Sequence, residues 1–169
     1  MNIFYLDSDP FKAAEYMVDK HVVKMIVETA QLLSTAHRVL DGKQVGKAWV
    51  LPDEREDVLY KPTHINHPSA IWCRYSNNNY NWLYCHFLGL LKEYTHRYNK
   101  VHKSTHLTLW LRTPPHNIPV RYKTQVTPAM PDEFKDPHDS VKSYRNYYRV
   151  GKANLHKWTG RDVPLWINS

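Results

Sequence analysis

A chain of 169 residues with 42% hydrophobic content is long enough to bury its own core and too apolar for a disordered segment. Its 23 Lys and Arg against 16 Asp and Glu give +7 before 11 His are counted, which points to a polyanionic partner: nucleic acid, nucleotide or an anionic surface. No run of about 18 apolar residues is present, so no membrane contact is expected. The start, Met1-Asn2-Ile3-Phe4-Tyr5-Leu6-Asp7, lacks the basic and apolar regions of a signal peptide, and Cys73 and Cys85 form no CxxC pair. Both facts fit a reduced cytoplasmic protein with free thiols.

Residues 2–6 read as a short extended lead-in. Asp9 then caps a helix that Pro10 opens, and the helical pattern runs to about Arg38 before Asp41-Gly42 stops it. Residues 41–63 are mixed in pattern and read as a surface loop with a short strand around 48–51. Asn66 or His67 caps a second helix that starts at Pro68 and ends near Ser76. Asn77-Asn78-Asn79 mark a break and a fresh cap, and a third helix follows from about Tyr80 to Tyr98. Residues 105–112 suit a short helix or strand. Six prolines between 113 and 137 make a long irregular connection, a length that compact domains reserve for functional or mobile segments. Ser140 caps a last helix to about Trp158, and Leu165-Trp166 docks the tail. The expected architecture is all-α: one compact domain over residues 1–169 with a long first helix, a central helix pair, the Pro-rich connection and a basic C-terminal helix.

The first helix carries a polar stripe. At 100° per residue His21, Lys24, Glu28, Gln31 and Thr35 fall within about 80° of one another, while Val18, Val22, Val23, Met25, Ile26, Val27, Ala30, Leu32 and Leu33 fill most of the remaining surface. Long polar groups on an otherwise apolar helix must find partners or water, so the stripe faces either a polar network or a site. Glu28 suits general acid or base work. His21 and Lys24 are candidate catalytic neighbours, with Lys24 or the adjacent Lys20 able to serve as an amine nucleophile when its charge is disfavoured. A buried ion pair that fixes helix packing is the alternative.

Other candidates contact nucleic acid. His64 and His67 stand one helical turn apart, a spacing that suits two metal ligands, yet no paired cysteines or HExxH pattern completes a metal site. Neither metal nor other cofactor is expected, and phosphate contact or simple capping is the reading of this pair. His106-Leu107-Thr108 is half of a paired His-x-Thr signature whose second half is missing. Residues 140–169 hold six basic residues against one acid, interleaved with tyrosines, which makes Tyr144, Arg145, Tyr148, Arg149 and Lys152 candidate phosphate and base contacts beside Lys20 and Gln31.

Two resemblances follow. Asp19-Lys20-His21-Val22-Val23-Lys24, Asn66-His67-Pro68-Ser69-Ala70-Ile71-Trp72 and Tyr144-Arg145-Asn146-Tyr147-Tyr148 resemble segments of a family of small tailed-phage proteins. The order of features is also similar to the phage pyrimidine dimer DNA glycosylases of the endonuclease V type. That second resemblance implies an all-α domain with a catalytic acid on its first helix, here Glu28. It also implies a basic, Tyr-rich segment near the DNA, here Tyr147-Tyr148-Arg149-Val150-Gly151-Lys152-Ala153. The implied activity is excision of pyrimidines by a DNA glycosylase and AP lyase in the host cell cytoplasm, with DNA as partner. A non-catalytic nucleotide- or nucleic-acid-binding phage protein, or a nucleotide-modifying transferase, are the alternatives. The nucleophile in that family is an N-terminal α-amine freed by removal of the initiator Met next to a small residue. This chain has Asn2 there, which leaves Met1 in place. Either the Met1 amine serves, or Lys24 or Lys20 replaces it, or no Schiff base forms. Oligomeric state is not readable from the chain.

Overall fold

The computed structural model describes all residues, Met1–Ser169. Its α-helices are α1 (Pro10–Glu15), α2 (Asp19–Asp41), α3 (Pro68–Tyr75), α4 (Asn77–Tyr98), α5 (Thr108–Leu111) and α6 (Ser140–Asn146). The fold is mostly helical rather than purely so. Lys43–Val45 (β1) and Ala48–Val50 (β2) form an antiparallel hairpin with Lys43 opposite Val50 and Val45 opposite Ala48. Gly46 turns it at a φ of 62° that a side chain would resist. No helix is long and apolar enough to cross a membrane.

Caps placed by local chemistry lie where the sequence puts them. Asp9 accepts from the backbone N–H groups of Phe11 and Lys12 with Pro10 in the first turn, and His67 Nδ1 accepts from Ser69 N–H at the start of α3. Three boundaries differ from expectation, each for a tertiary reason. The first helix breaks at residues 16–18, because Val18 N–H bonds to the Tyr148 hydroxyl and Asp19 N–H to the Lys157 carbonyl instead of continuing a helical ladder. Helix α4 starts at Asn77 with Ser76 as its cap. The three asparagines are thereby freed to bond residues 119–124: Asn77 Oδ1 accepts from Arg121 N–H, Asn78 Nδ2 donates to Arg121 O, and Asn79 Oδ1 accepts from Thr124 N–H. The last helix, capped by Asp139, is α-helical only to Asn146 and continues as a π-helical turn over Tyr147–Gly151. A Cβ on Gly151 would lie 2.6 Å from the Tyr147 ring, so only glycine lets the chain close on that ring.

Helix α2 is the central strut, packed on α3 and α4, with α1 laid across α4. One continuous core runs from Ile3 through Met17, Ile26 and Leu33 to Leu83, Phe87, Tyr144 and Tyr148. The C-terminal half of α2 stitches down the loop that follows it. Arg38, fully buried, donates to the carbonyls of Trp49, Glu56, Leu59 and Tyr60 and to the Glu56 carboxylate. Ser34 Oγ and Thr35 Oγ1 accept from the N–H groups of Tyr60 and Thr63. This fan of bonds gives a direct expectation for stability. Arg38→Met takes the guanidinium away from four carbonyls and from the Glu56 carboxylate, and the cost is about 3–5 kcal/mol in urea unfolding. A loss under about 1 kcal/mol would show that the loop does not depend on Arg38.

Candidate active site

The site is built on the N-terminal arm, residues 1–6, which carries no regular structure and whose residues 3–6 are nonetheless buried. Asn2 holds it. Its Nδ2 donates to Ala129 O at 2.8 Å, and its Oδ1 accepts from Ile3 N–H at 2.8 Å and from the Tyr144 hydroxyl at 2.8 Å. Phe4 turns the arm at a φ of 58°, a left-handed conformation unusual for a bulky residue, and its carbonyl accepts from Leu6 N–H. An aromatic cage keeps it there: His21 stacks on Phe4 at 4.1 Å between ring centroids, with Tyr144, Tyr147 and Tyr148 around it. Such strain of about 1–3 kcal/mol persists only where the surroundings over-determine it.

The product of this clamp is one short distance. The α-nitrogen of Met1 lies 3.3 Å from Glu28 Oε1, with the Met1 side chain 2% exposed and Glu28 15%. The other carboxylate oxygen, Oε2, is buried and takes no hydrogen bond from the protein. An amine and a carboxylate at this separation exchange protons directly, and a buried oxygen with spare capacity can accept another donor.

His21 stands on the same face two turns before Glu28. The Tyr148 hydroxyl lies 2.6 Å from His21 Nδ1 and accepts from Val18 N–H, so its own proton goes to Nδ1 and the ring proton sits on Nε2. Burial, with the nearby charges of Lys152 and Lys24, holds the His21 ring neutral down to about 4. His67 joins the group through α3. Its titration is lowered by burial and then by the Met1 amine and His64, with Glu28 opposing, so all of these lie within electrostatic reach of one another. The exposed His64 sits at a left-handed φ of 49°, its Nδ1 2.8 Å from Thr63 Oγ1.

The remaining candidates divide. Lys20 and Lys24 are exposed and line a cavity of about 450 Å³ with Asp19, Val23, Tyr98 and Lys157, beside the site rather than inside it. Gln31 is half-buried one turn beyond Glu28. Lys152 lies 5.0 Å from the centre of the half-buried Tyr147 ring and acts on His21. Tyr144 and Tyr148 are fully buried with their hydroxyls bonded internally, so base stacking expected of them is replaced by a role in holding Asn2 and His21. Arg145 is likewise engaged with Leu6 O and Asp7, and Arg149 with Trp166 O and Asn146. They tie the arm and the tail to α6. Asn2 and Phe4 carried no sequence signal as residues that hold the site, since each matters through partners more than a dozen residues away, and Lys157 entered only as one of the six basic residues near the C-terminus. Cys73 and Cys85 are free thiols.

A helical domain with an amine and a carboxylate paired under a rim of lysines and histidines is equipped for nucleophilic and acid-base chemistry on a polyanion. A family model described as pyrimidine dimer DNA glycosylase matches residues 1–106, and the chain belongs to that family. It is a DNA glycosylase acting on pyrimidine dimers, with DNA as its substrate, and the non-catalytic and transferase alternatives are not favoured. No curated protein and no solved structure matches the chain. The family match contains the arm, Glu28 and His67, while the irregular connection and α6 lie beyond it.

The buried rings set a pH signature. His21, His37 and His86 are all held neutral down to about 4, mainly by burial, against an ordinary value of 6.5. These are depressed folded-state values, so stability is full above pH 6.5 and falls as pH drops toward 4, where the unfolded chain takes up protons that the folded chain refuses. Carboxylates held low, such as Asp19 and Asp41, add losses only below about 4. Urea unfolding between pH 7.5 and 4.5 is expected to lose stability with a slope approaching three protons. His21→Gln should reduce that slope by about one proton, roughly 1.4 kcal/mol per pH unit. An unchanged slope would mean that His21 titrates normally.

Proposed function

We propose that the Met1 α-amine is the nucleophile of a combined glycosylase and AP lyase reaction and that Glu28 is its proton carrier. The observation that carries this reading is the 3.3 Å between Met1 N and Glu28 Oε1. The amine nitrogen forms a bond to C1′ of the damaged nucleotide as the C1′–base bond breaks and its electron pair leaves with the base. Glu28 accepts the proton that the amine sheds and gives it to O4′ as the C1′–O4′ bond breaks, which leaves the opened sugar held as an imine and Glu28 again a carboxylate. Glu28 or water then removes a C2′ proton, the C3′–O bond breaks, and the strand is cut. Of the three amines the sequence leaves open, Met1 is the one beside the carboxylate, whereas Lys20 and Lys24 are exposed and suit phosphates. His21, neutral and hydrogen-bonded to Tyr148, positions the arm through its stack on Phe4.

Lys20, Lys24, Lys152 and Lys157 supply phosphate contacts, with His64, His67 and Gln31 on the other side of Glu28. The likeness of several segments to tailed-phage proteins supports a phage enzyme that works in the host cytoplasm on pyrimidine lesions.

Borohydride trapping on ultraviolet-irradiated DNA tests the mechanism. A covalent adduct is expected on the N-terminal peptide by mass spectrometry. Glu28→Gln should slow its formation by about 10²–10⁴-fold, and acetylation or a short N-terminal extension should abolish it. An adduct that survives the blocked N-terminus, or that maps to Lys20 or Lys24, would overturn the assignment of the amine.

A separate measurement addresses the lysine rim. Lys24→Ala with Lys157→Ala is expected to lower the slope of log affinity against log salt by about 2, the equivalent of two phosphates at roughly 0.9 each. An unchanged slope would place the DNA elsewhere.

A further inference from the structure

Residues 58–131 carry nine basic residues and a single acid, Glu93, which exceeds in net positive charge the +7 of the whole chain. Glu93 is 2% exposed and bonded to Arg161, so it contributes no surface charge of its own. Within this span the asparagines that open α4 pin residues 119–124 against the end of α3, and the alternate side chains of that strap have opposite fates. Arg121 folds back over the Tyr75 ring at 4.5 Å, and Lys123 reaches the Tyr5 hydroxyl at 2.6 Å. Val120 and Tyr122 project outward at 87% and 92% exposure. Tyr75, Asn78, Val120, Arg121, Tyr122 and Thr124 line an open groove of about 670 Å³ that contains no carboxylate.

A rigidly held backbone that presents a bare tyrosine beside an arginine stacked on a second tyrosine has no use in packing. Exposed aromatic rings interleaved with cations are what unpaired bases stack on, because every base has a π face and each brings a phosphate. Helix α3 joins this groove to the active site. His67 at its start feels the charge of the Met1 amine, and Tyr75 at its end borders the groove. Eight residues of helix span about 12 Å, the length of three or four base steps at roughly 3.4 Å each.

We propose that this groove is a second DNA contact that receives an unstacked nucleotide a few steps from the one attacked, with its base on Tyr122 and its phosphate near Arg121. It rests on the reading of the chain as a DNA enzyme but not on the identity of the nucleophile. The strap lies beyond the residues that match the family model, while Tyr75 and Asn78, which complete the groove, lie within them.

The test uses the full-length chain and a short fluorescein-labelled oligothymidylate, which has no duplex and no lesion. Tyr122→Ala and Arg121→Ala are each expected to weaken binding by about tenfold in fluorescence anisotropy. Leu109→Ala, an exposed apolar residue on α5, serves as the control and should bind like the unsubstituted chain. Binding by Tyr122→Ala within twofold of the unsubstituted chain would overturn the proposal. So would self-association in sedimentation that depends on Tyr122 while oligothymidylate binding does not, since the groove would then be a protein contact. Borohydride trapping is scored separately. Loss of trapping with Tyr122-dependent binding retained removes the amine mechanism and leaves this contact standing, and the converse result does the opposite.

Discussion

A chain terminus ordinarily frays, so an α-nitrogen can occupy a defined position only if the backbone behind it is tied down. Here the Asn2 carboxamide does this from both ends, donating to Ala129 O and accepting from Tyr144, while Arg145 Nε holds Leu6 O at 2.9 Å. Every partner belongs to the second half of the chain. The amine faces Glu28 because an extended segment without secondary structure is wedged between α2 and α6. The unfavourable backbone of Phe4 is tolerated because its ring is enclosed by His21 and three tyrosines.

Helix α2 serves two ends with its polar side chains. Toward its N-terminus His21, Lys24 and Glu28 face the arm and the lysine rim. Toward its C-terminus Ser34, Thr35, His37 and Arg38 are consumed in holding residues 41–63. At that end Arg55 donates to His37 Nδ1, so the ring proton sits on Nε2 and goes to the Tyr80 hydroxyl, which in turn donates to Leu111 O. Burial keeps the His21 and His37 rings uncharged, each with a hydrogen-bond partner on Nδ1, and the positive charge of the molecule comes from Lys and Arg. The buried acids are paired in the same spirit: Asp19 takes Arg97 and Thr159 while Glu93 takes Arg161.

Much of the fold was legible because its signals are local. The Asp9 and His67 caps, the prolines that open α1 and α3, the helical spacing of Trp82, Leu83, Phe87, Leu90 and Leu91, and the irregular run after Thr113 each depend on a few neighbouring residues. What misled were residues whose obvious local use was displaced by a distant one. The asparagine triplet reads as a break, yet its side chains bond a strap more than forty residues away. Tyr144 and Tyr148 read as base contacts from their arginine-rich setting, yet burial turns their hydroxyls inward. The break before Asp19 contains neither glycine nor proline and exists because two N–H groups are captured by the C-terminal segment.

The sequence by itself determined the helical class, the basic character and the polar stripe on which Glu28 lies, because helical periodicity and side-chain chemistry are written within a few turns of chain. It could not determine which amine the carboxylate would meet. Three were available, and two of them, Lys20 and Lys24, lie on the same helix as Glu28 at ordinary contact spacing. Tertiary structure chose the third, because Asn2 and the aromatic cage around Phe4 bring the α-nitrogen of Met1 to 3.3 Å while both lysines remain in solvent. That choice rests on contacts between residues more than a hundred positions apart, which no local pattern encodes.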